Sequence, residues 1–237
     1  MSSSPNYAFK PSIYSLPMVD RDGSPRSEYF PVNRIFCIGR NYADHAREMG
    51  HDPNREPPFY FLKPASALLA NMSTFPLPSY SNQVEHEIEI VIALDRGGRN
   101  LSIEQARQAV VAFGLGLDMT CRDIQKSAKD AGRPWELAKG FDHSAPCTAL
   151  QLGSVEDILG CGDFSLTNNN RTVQKGNARD MIWQIPELIM EISQKICLLP
   201  GDIIFTGTPA GVAAVKRGDK LEASLKGLSQ TLSINIE

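Results

Sequence analysis

Residues 84–94, VEHEIEIVIAL, constrain this chain more than any other part of it. A strand repeats every two residues, so an extended backbone here puts Ile88, Ile90 and Ile92 on one face and Glu85, Glu87 and Glu89 on the other. The isoleucine face demands an apolar layer against it. Carboxylates that are neighbours on one strand face repel unless water or a cation screens them. Two readings follow. One is a solvated acidic face on an edge strand, the usual place for charged side chains; the other is a set of hard oxygen ligands suited to Mg2+, Mn2+ or Ca2+. The chain has only four histidines, His45, His51, His86 and His143, which disfavours a zinc site built on imidazole.

Around that segment the pattern is β-rich. Residues 34–39, RIFCIG, read as a strand feeding a short helix over 41–49, closed by Gly50 where a left-handed residue ends a helix. Residues 51–58, HDPNREPP, carry three prolines and several charges and form a loop. Further strands are expected at 59–62, 85–94, 111–118, 203–206 and along the alternating stretch 220–236. Two helices interrupt them, one from 103 to about 110 and one over 185–196, where Ile185, Leu188, Ile189, Ile192 and Ile196 make one apolar face and Pro186 sits in the first turn. Residues 1–31 are expected as an N-terminal extension of short strands and turns on a single main domain, 32–237.

Composition narrows the partners. At 42% hydrophobic and 22% charged the chain is ordinary globular material, and no apolar run approaches the twenty or so residues of a membrane helix. MSSSPNYAFKPSIYSLP has neither the apolar core of a secretory signal nor the Arg-rich character of a transit peptide, so a soluble, cytoplasmic protein is expected. A net charge of −3 without a basic run argues against nucleic acid. Five scattered cysteines without a CxxC pair argue against a disulfide framework or a thiolate zinc site. A small molecule is the expected partner.

Four other features bear chemistry. Asp118 ends the apolar run 111–117, whose Gly114 and Gly116 permit close approach of a neighbouring strand or a ligand; it is a further oxygen ligand or the cap of the next turn. His45 and Glu48 stand at i and i+3 on one helical face. A carboxylate there can orient the imidazole as a base towards water, or the two form a surface ion pair. Lys139, between apolar neighbours, either points inward at an anion or snorkels to the surface. Residues 206–211, TGTPAG, offer backbone N–H groups and hydroxyls that can hold a carboxylate.

Taken together, GRNYADHAREMG at 39–50, FLKP at 61–64, HEIEIVIAL at 86–94, LDMTCRD at 117–123, GRPWELAKGFD at 132–142 and GDIIFTGTPAGV at 201–212 resemble the fumarylacetoacetate hydrolase family. Within it, MGHDPNREPPFYFLKPA at 49–65 resembles the lid segment of bacterial fumarylpyruvate and maleylpyruvate hydrolases. The resemblance implies an α+β, β-rich fold, the mixed β-roll of the family's C-terminal domain with a few short helices, and a homodimer. It implies one Mg2+ or Mn2+ per subunit held by Glu87, Glu89 and Asp118, with Glu85 outside the set. His45 and Glu48 match the water-activating dyad, and Arg122, Gln125, Lys139 and Thr208 match substrate-contacting positions. The implied reaction is hydrolysis of the carbon–carbon bond of an acylpyruvate, as in gentisate-type aromatic degradation, with Lys139 stabilising the enolate. Arg40 and Arg55 are the candidates for a distal carboxylate, and residues 42–58 for a lid ordered by substrate. Oxaloacetate decarboxylation or 2-oxo-acid isomerisation on the same scaffold is the alternative, and a noncatalytic metal- or ligand-binding protein the more remote one.

Overall fold

In the computed structural model, which describes residues 8–48 and 56–237, backbone pairing changes partners at Glu87 and the long strand expected at 85–94 becomes two. In chain order the first elements are β1 (Ser15–Val19), β2 (Pro25–Pro31), β3 (Arg34–Gly39), α1 (Ala43–Glu48), β4 (Phe59–Lys63), β5 (Leu68–Ala70), β6 (Thr74–Phe75), β7 (Val84–His86) and β8 (Ile88–Leu94). Then come α2 (Ile103–Ala109), β9 (Val110–Leu117), β10 (Thr120–Cys121), α3 (Arg122–Asp130), α4 (Glu136–Lys139), β11 (Ala145–Cys147), β12 (Leu150–Leu152) and α5 (Val155–Cys161). The last are β13 (Asp163–Asn168), β14 (Arg171–Asn177), α6 (Ile185–Lys195), β15 (Asp202–Phe205), β16 (Ala213–Ala214), β17 (Lys220–Leu225) and β18 (Leu232–Ile236). The result is the expected β-rich fold with short helices. Gly50, Arg55 and most of the 51–58 loop lie outside the described residues, and with them much of the lid expected over 42–58.

Strand β8 is central. It pairs antiparallel with β9 and β15 in a ten-stranded sheet ordered β2-β1-β12-β9-β8-β15-β3-β4, with β11 and β5 attached beside β9. The 1–31 segment contributes to this sheet through β1, which runs parallel to β12. Five strands, β14-β13-β17-β18-β6, form a second sheet, and β10-β7-β16 a small third one. Every residue of β8 is buried. Ile88, Ile90, Ile92 and Leu94 face one core, shared with α6 and with Leu166, Leu221 and Ile234 of the second sheet. Val91 and Ala93 face another core, with Ile35, Cys37, Leu150 and Phe205. The acidic face read along 85–89 therefore does not continue: beyond Glu89 that side of the strand is apolar, and Glu85 belongs to a different sheet.

Helices α2 and α6 pack against each other as their apolar periodicity predicts. Ser102 and Gln105 close a reciprocal capping box on α2, an arrangement worth about 1 kcal/mol. Helices α3, α4 and α5 were not expected. The physical reason is clearest for α3, RDIQKSAKD, which buries only Gln125 and Ala128 and so carries no apolar stripe to reveal it. The C-terminal alternation is likewise two strands, β17 and β18, turned at Gly227. All five cysteines are free thiols, three of them buried. Among the described residues no helix is long and apolar enough to cross a membrane.

Gly116, opposite Glu89 in the β8–β9 pairing, is where strand packing leaves no room for a side chain. A Cβ there would lie 2.5 Å from the Phe205 ring and 2.9 Å from Val91, both fully buried. Gly116→Ala is expected to destabilise the fold by roughly 1–3 kcal/mol through overpacking. The measurement is urea unfolding, read as a lowered midpoint at unchanged slope.

Candidate active site

The break at Glu87 brings three acids together. Antiparallel pairing sets Ile88 against Leu117, so the next residues outward, Glu87 and Asp118, face each other, and the Asp118 N–H donates to the Glu87 carbonyl at 2.8 Å. Glu89 lies one pleat further in. One carboxylate oxygen from each of Glu87, Glu89 and Asp118 falls within 4.8 Å of the others, and all three residues are buried. This excludes the solvated acidic face for Glu87 and Glu89. Glu85 lies apart from the cluster, 2.5 Å from Arg122 Nε.

Such a cluster requires counter-charge. The Lys139 ammonium, only 3% exposed, donates to Glu87 Oε2 at 2.8 Å and to Asp118 Oδ2 at 2.6 Å. Burial alone would lower its pKa, but Asp118 and Glu87 hold it above the ordinary lysine range. Burial would likewise raise Glu87, yet the charges of Lys139 and Arg122 override it and keep this carboxyl well below its usual range. Glu89 goes the other way: burial, then repulsion from Asp118 and Glu87, push it far up. The Gly207 N–H donates to its Oε2 at 2.7 Å.

These groups suit a hard divalent cation. The donors are all oxygen, and among the described residues no lysine or arginine pairs with Glu89. Glu87, Glu89 and Asp118 are the residues that would hold Mg2+ or Mn2+.

The dyad is placed by Asn41 and by the loop after β15. The Asn41 side chain donates to the carbonyls of Trp183 and Thr206 at 3.0 and 2.8 Å and accepts from the Trp183 N–H at 2.8 Å, tying the start of α1 to that loop. His45 is 6% exposed, and its Nδ1 lies 3.3 Å from Glu48 Oε2. Both Glu48 oxygens accept from the Gly211 N–H, at 3.2 and 3.1 Å. A carboxylate at Nδ1 favours the tautomer protonated there and leaves Nε2 free to take a proton. The 206–211 turn does bind carboxylates, but they are the protein's own Glu89 and Glu48.

Arg40, His45, Glu87, Glu89, Asp118, Arg122, Gln125, Lys139 and Thr208 all line one pocket; Glu48 stands behind His45. Gln125 Oε1 accepts from Arg122 Nη1 at 2.7 Å. Thr208 Oγ1 accepts from Gln174 Nε2 at 2.9 Å, which leaves its hydroxyl proton free for a ligand. Arg55 lies outside the described residues. Two further residues here carry no role expected from the sequence. Gln174, from the second sheet, uses both ends of its amide, accepting from the Ile88 N–H and donating to Thr208 and the Pro209 carbonyl. Nothing in its local sequence marks it. Lys63 is fully buried, 2.8 Å from Asp118 Oδ1, and also donates to the carbonyls of Met119 and Lys139. It is the lone charge in the run FYFLKPA, the same signal that marked Lys139.

The fold agrees with the relatives of this chain. Residues 34–233 match the family described as fumarylacetoacetate (FAA) hydrolase C-terminal. The chain belongs to the fumarylacetoacetate hydrolase family. A fumarylpyruvate hydrolase from Pseudomonas aeruginosa, crystallised with Mn2+ and pyruvate, superposes with a TM-score of 0.88 at 38% identity over 98% of this chain and 99% of that one. A mitochondrial oxaloacetate tautomerase of Arabidopsis thaliana is 39% identical over 198 residues, 83% of this chain and 88% of the relative. An oxaloacetate tautomerase of Escherichia coli is 37% identical over 210 residues, 86% of this chain and 94% of the relative.

Lys63→Met would remove one of the buried charges facing Asp118 and take a donor from the carbonyls of Met119 and Lys139. A loss on the order of 3 kcal/mol is expected, the scale for breaking a buried ion pair. Denaturant unfolding in excess chelator measures it without metal binding adding to the result.

Proposed function

We propose that the protein is a divalent-metal-dependent acylpyruvate hydrolase, cleaving fumarylpyruvate or maleylpyruvate to pyruvate and fumarate or maleate. The observation that carries this reading is a buried His45, backed by Glu48, opening into the same pocket as the Glu87–Glu89–Asp118 cluster. The likeness to a fumarylpyruvate hydrolase holding Mn2+ and pyruvate supports it.

A Mg2+ or Mn2+ held by the three carboxylates would supply Lewis-acid polarisation of the pyruvyl end of the substrate. The chain's own groups do the rest. His45 Nε2 accepts a proton from a water directed at the C4 carbonyl, with Glu48 stabilising the imidazolium that results. Oxygen bonds to C4, the C3–C4 bond breaks, and its electron pair leaves on C3 as pyruvate enolate, which is then protonated at C3. The Lys139 ammonium offers positive charge to the enolate oxygen, while Thr208 and Gln125 hold the substrate's polar groups. The same reading has the chain working as a homodimer, which light scattering on the purified protein tests.

The second reading, oxaloacetate tautomerase, is favoured by the names of the relatives from Arabidopsis thaliana and Escherichia coli. Both reactions need an enolate, but tautomerisation moves a proton without adding water.

Pyruvate release from fumarylpyruvate, maleylpyruvate and acetylpyruvate, measured beside enol–keto exchange of oxaloacetate, separates the readings. Pyruvate is expected from the acylpyruvates, none in excess chelator, with recovery on adding Mn2+. Rapid oxaloacetate exchange with no acylpyruvate cleavage would establish the tautomerase instead. His45→Ala is expected to lower kcat for hydrolysis by roughly 10²- to 10⁴-fold, the contribution of a general base. Unchanged hydrolysis in that variant would remove the dyad from the mechanism.

A further inference from the structure

The pocket carries positive charge at both ends, and only the inner end has it balanced. There Lys139 and Arg122 are engaged with Glu87, Asp118 and Glu85. At the outer end two more cations, Arg40 and Lys129, line the same pocket. Among the described residues neither has a carboxylate partner; each rests on an aromatic ring instead. The Arg40 guanidinium carbon lies 5.2 Å from the Phe59 ring centroid and Lys129 Nζ 5.0 Å from that of Trp135. The two rings meet edge to face, 6.0 Å apart. A ring face attracts and orients a cation but does not neutralise it.

Local structure explains both placements. On α3, positions 122, 125 and 129 recur at i, i+3 and i+7 along one face, and Arg122 and Gln125 already line the pocket from that face. Lys129 is the next residue on it. Arg40 has a φ of 57°, the left-handed conformation that non-glycine residues rarely adopt. The neighbouring Asn41, bonded to Trp183 and Thr206, anchors the backbone beside it. Burial, and then the charges of Arg122, Arg40 and Lys139, press the Lys129 ammonium below the ordinary lysine range. An anion bound there would relieve a repulsion already present.

We propose that Lys129, with Arg40 across the Phe59–Trp135 pair, binds the carboxylate at the far end of a dianionic 2-oxo acid and sets the preference for acyl chains that end in a carboxylate. This rests on the acylpyruvate reading for the inner end, where the 2-oxo acid group sits. Lys129 is a specificity residue rather than a catalytic one.

The test uses two probes of equal length, 2-oxoheptanedioate and 2-oxoheptanoate, which differ only in the terminal carboxylate and lack the C4 carbonyl needed for hydrolysis. Their affinities are measured by titration calorimetry on Mn2+-loaded wild type, Lys129→Gln and Lys129→Arg. Wild type is expected to bind the dianion about tenfold or more tightly, the scale of one charge-assisted contact. Lys129→Arg keeps most of that preference. Lys129→Gln brings the two probes within about threefold by weakening the dianion alone, since the lost contact is the one that the monoacid never makes. The proposal is overturned if the wild type shows no preference, if the preference survives in Lys129→Gln, or if that variant weakens both probes equally. Neither probe is cleaved, so this result stands whichever reaction the enzyme runs; the pyruvate-release assay judges that separately.

Discussion

Three carboxylates buried within a few ångströms of one another set the terms for the rest of the molecule. Withdrawing each from water carries an effective penalty of several kcal/mol, which attraction to a buried cation offsets only when the geometry is good. Lys139 bridges Glu87 and Asp118, Lys63 reaches the other oxygen of Asp118, and Arg122 joins Glu87 to Glu85. These cations come from three separate elements, β4, α3 and α4, so satisfying the charges also fastens those elements to the β8–β9 pair. Glu89 is the exception, with a backbone N–H as its donor and its carboxyl pushed up by burial and by its two neighbours. Added divalent charge would relieve the site most at that residue.

The architecture makes the cluster possible by interrupting a strand. At Glu87 the backbone leaves one sheet for another, and the residues on either side of the break keep their pairing while the carboxylates converge at the gap. The loop that follows β15 then ties the two halves of the chemistry together. Gly207 holds Glu89 and Gly211 holds Glu48, so one short segment sets both the acidic cluster and the carboxylate that orients His45. Gln174 extends the tie to the second sheet through Thr208.

This division of labour suits a scaffold that hosts more than one reaction. On the proposed reading, an inner end that stabilises an enolate would serve hydrolysis, decarboxylation and tautomerisation alike, and the reactions would differ in what His45 does with its proton and in what the outer end of the pocket accepts. The outer end is built from side chains on the loop before α1 and on the exposed part of α3, where residues can change without disturbing the buried charges.

Much of this was legible in the sequence because periodicity and chemistry are local properties. The alternation through β8, the apolar stripe of α6, the i, i+3 spacing of His45 and Glu48, and the lone charge of Lys139 in an apolar setting can each be read without a fold. What each would become could not. Whether Glu87 and Glu89 are solvated or buried depends on β9 and β15, which pair with β8 from positions far along the chain. Lys63 carries the same local signal as Lys139, yet its partner Asp118 is fifty-five residues away and meets it only across the folded sheet. Helix α3 had no apolar stripe to show, since its inward face is polar and turned to the pocket. Gln174 lies in a strand that the sequence did not reveal, and only the second sheet places it against Thr208. By itself the sequence determined which groups were available and which short-range pairs they formed; tertiary structure decided which of them are buried together, because desolvation and long-range charge pairing exist only once distant strands have closed on one another.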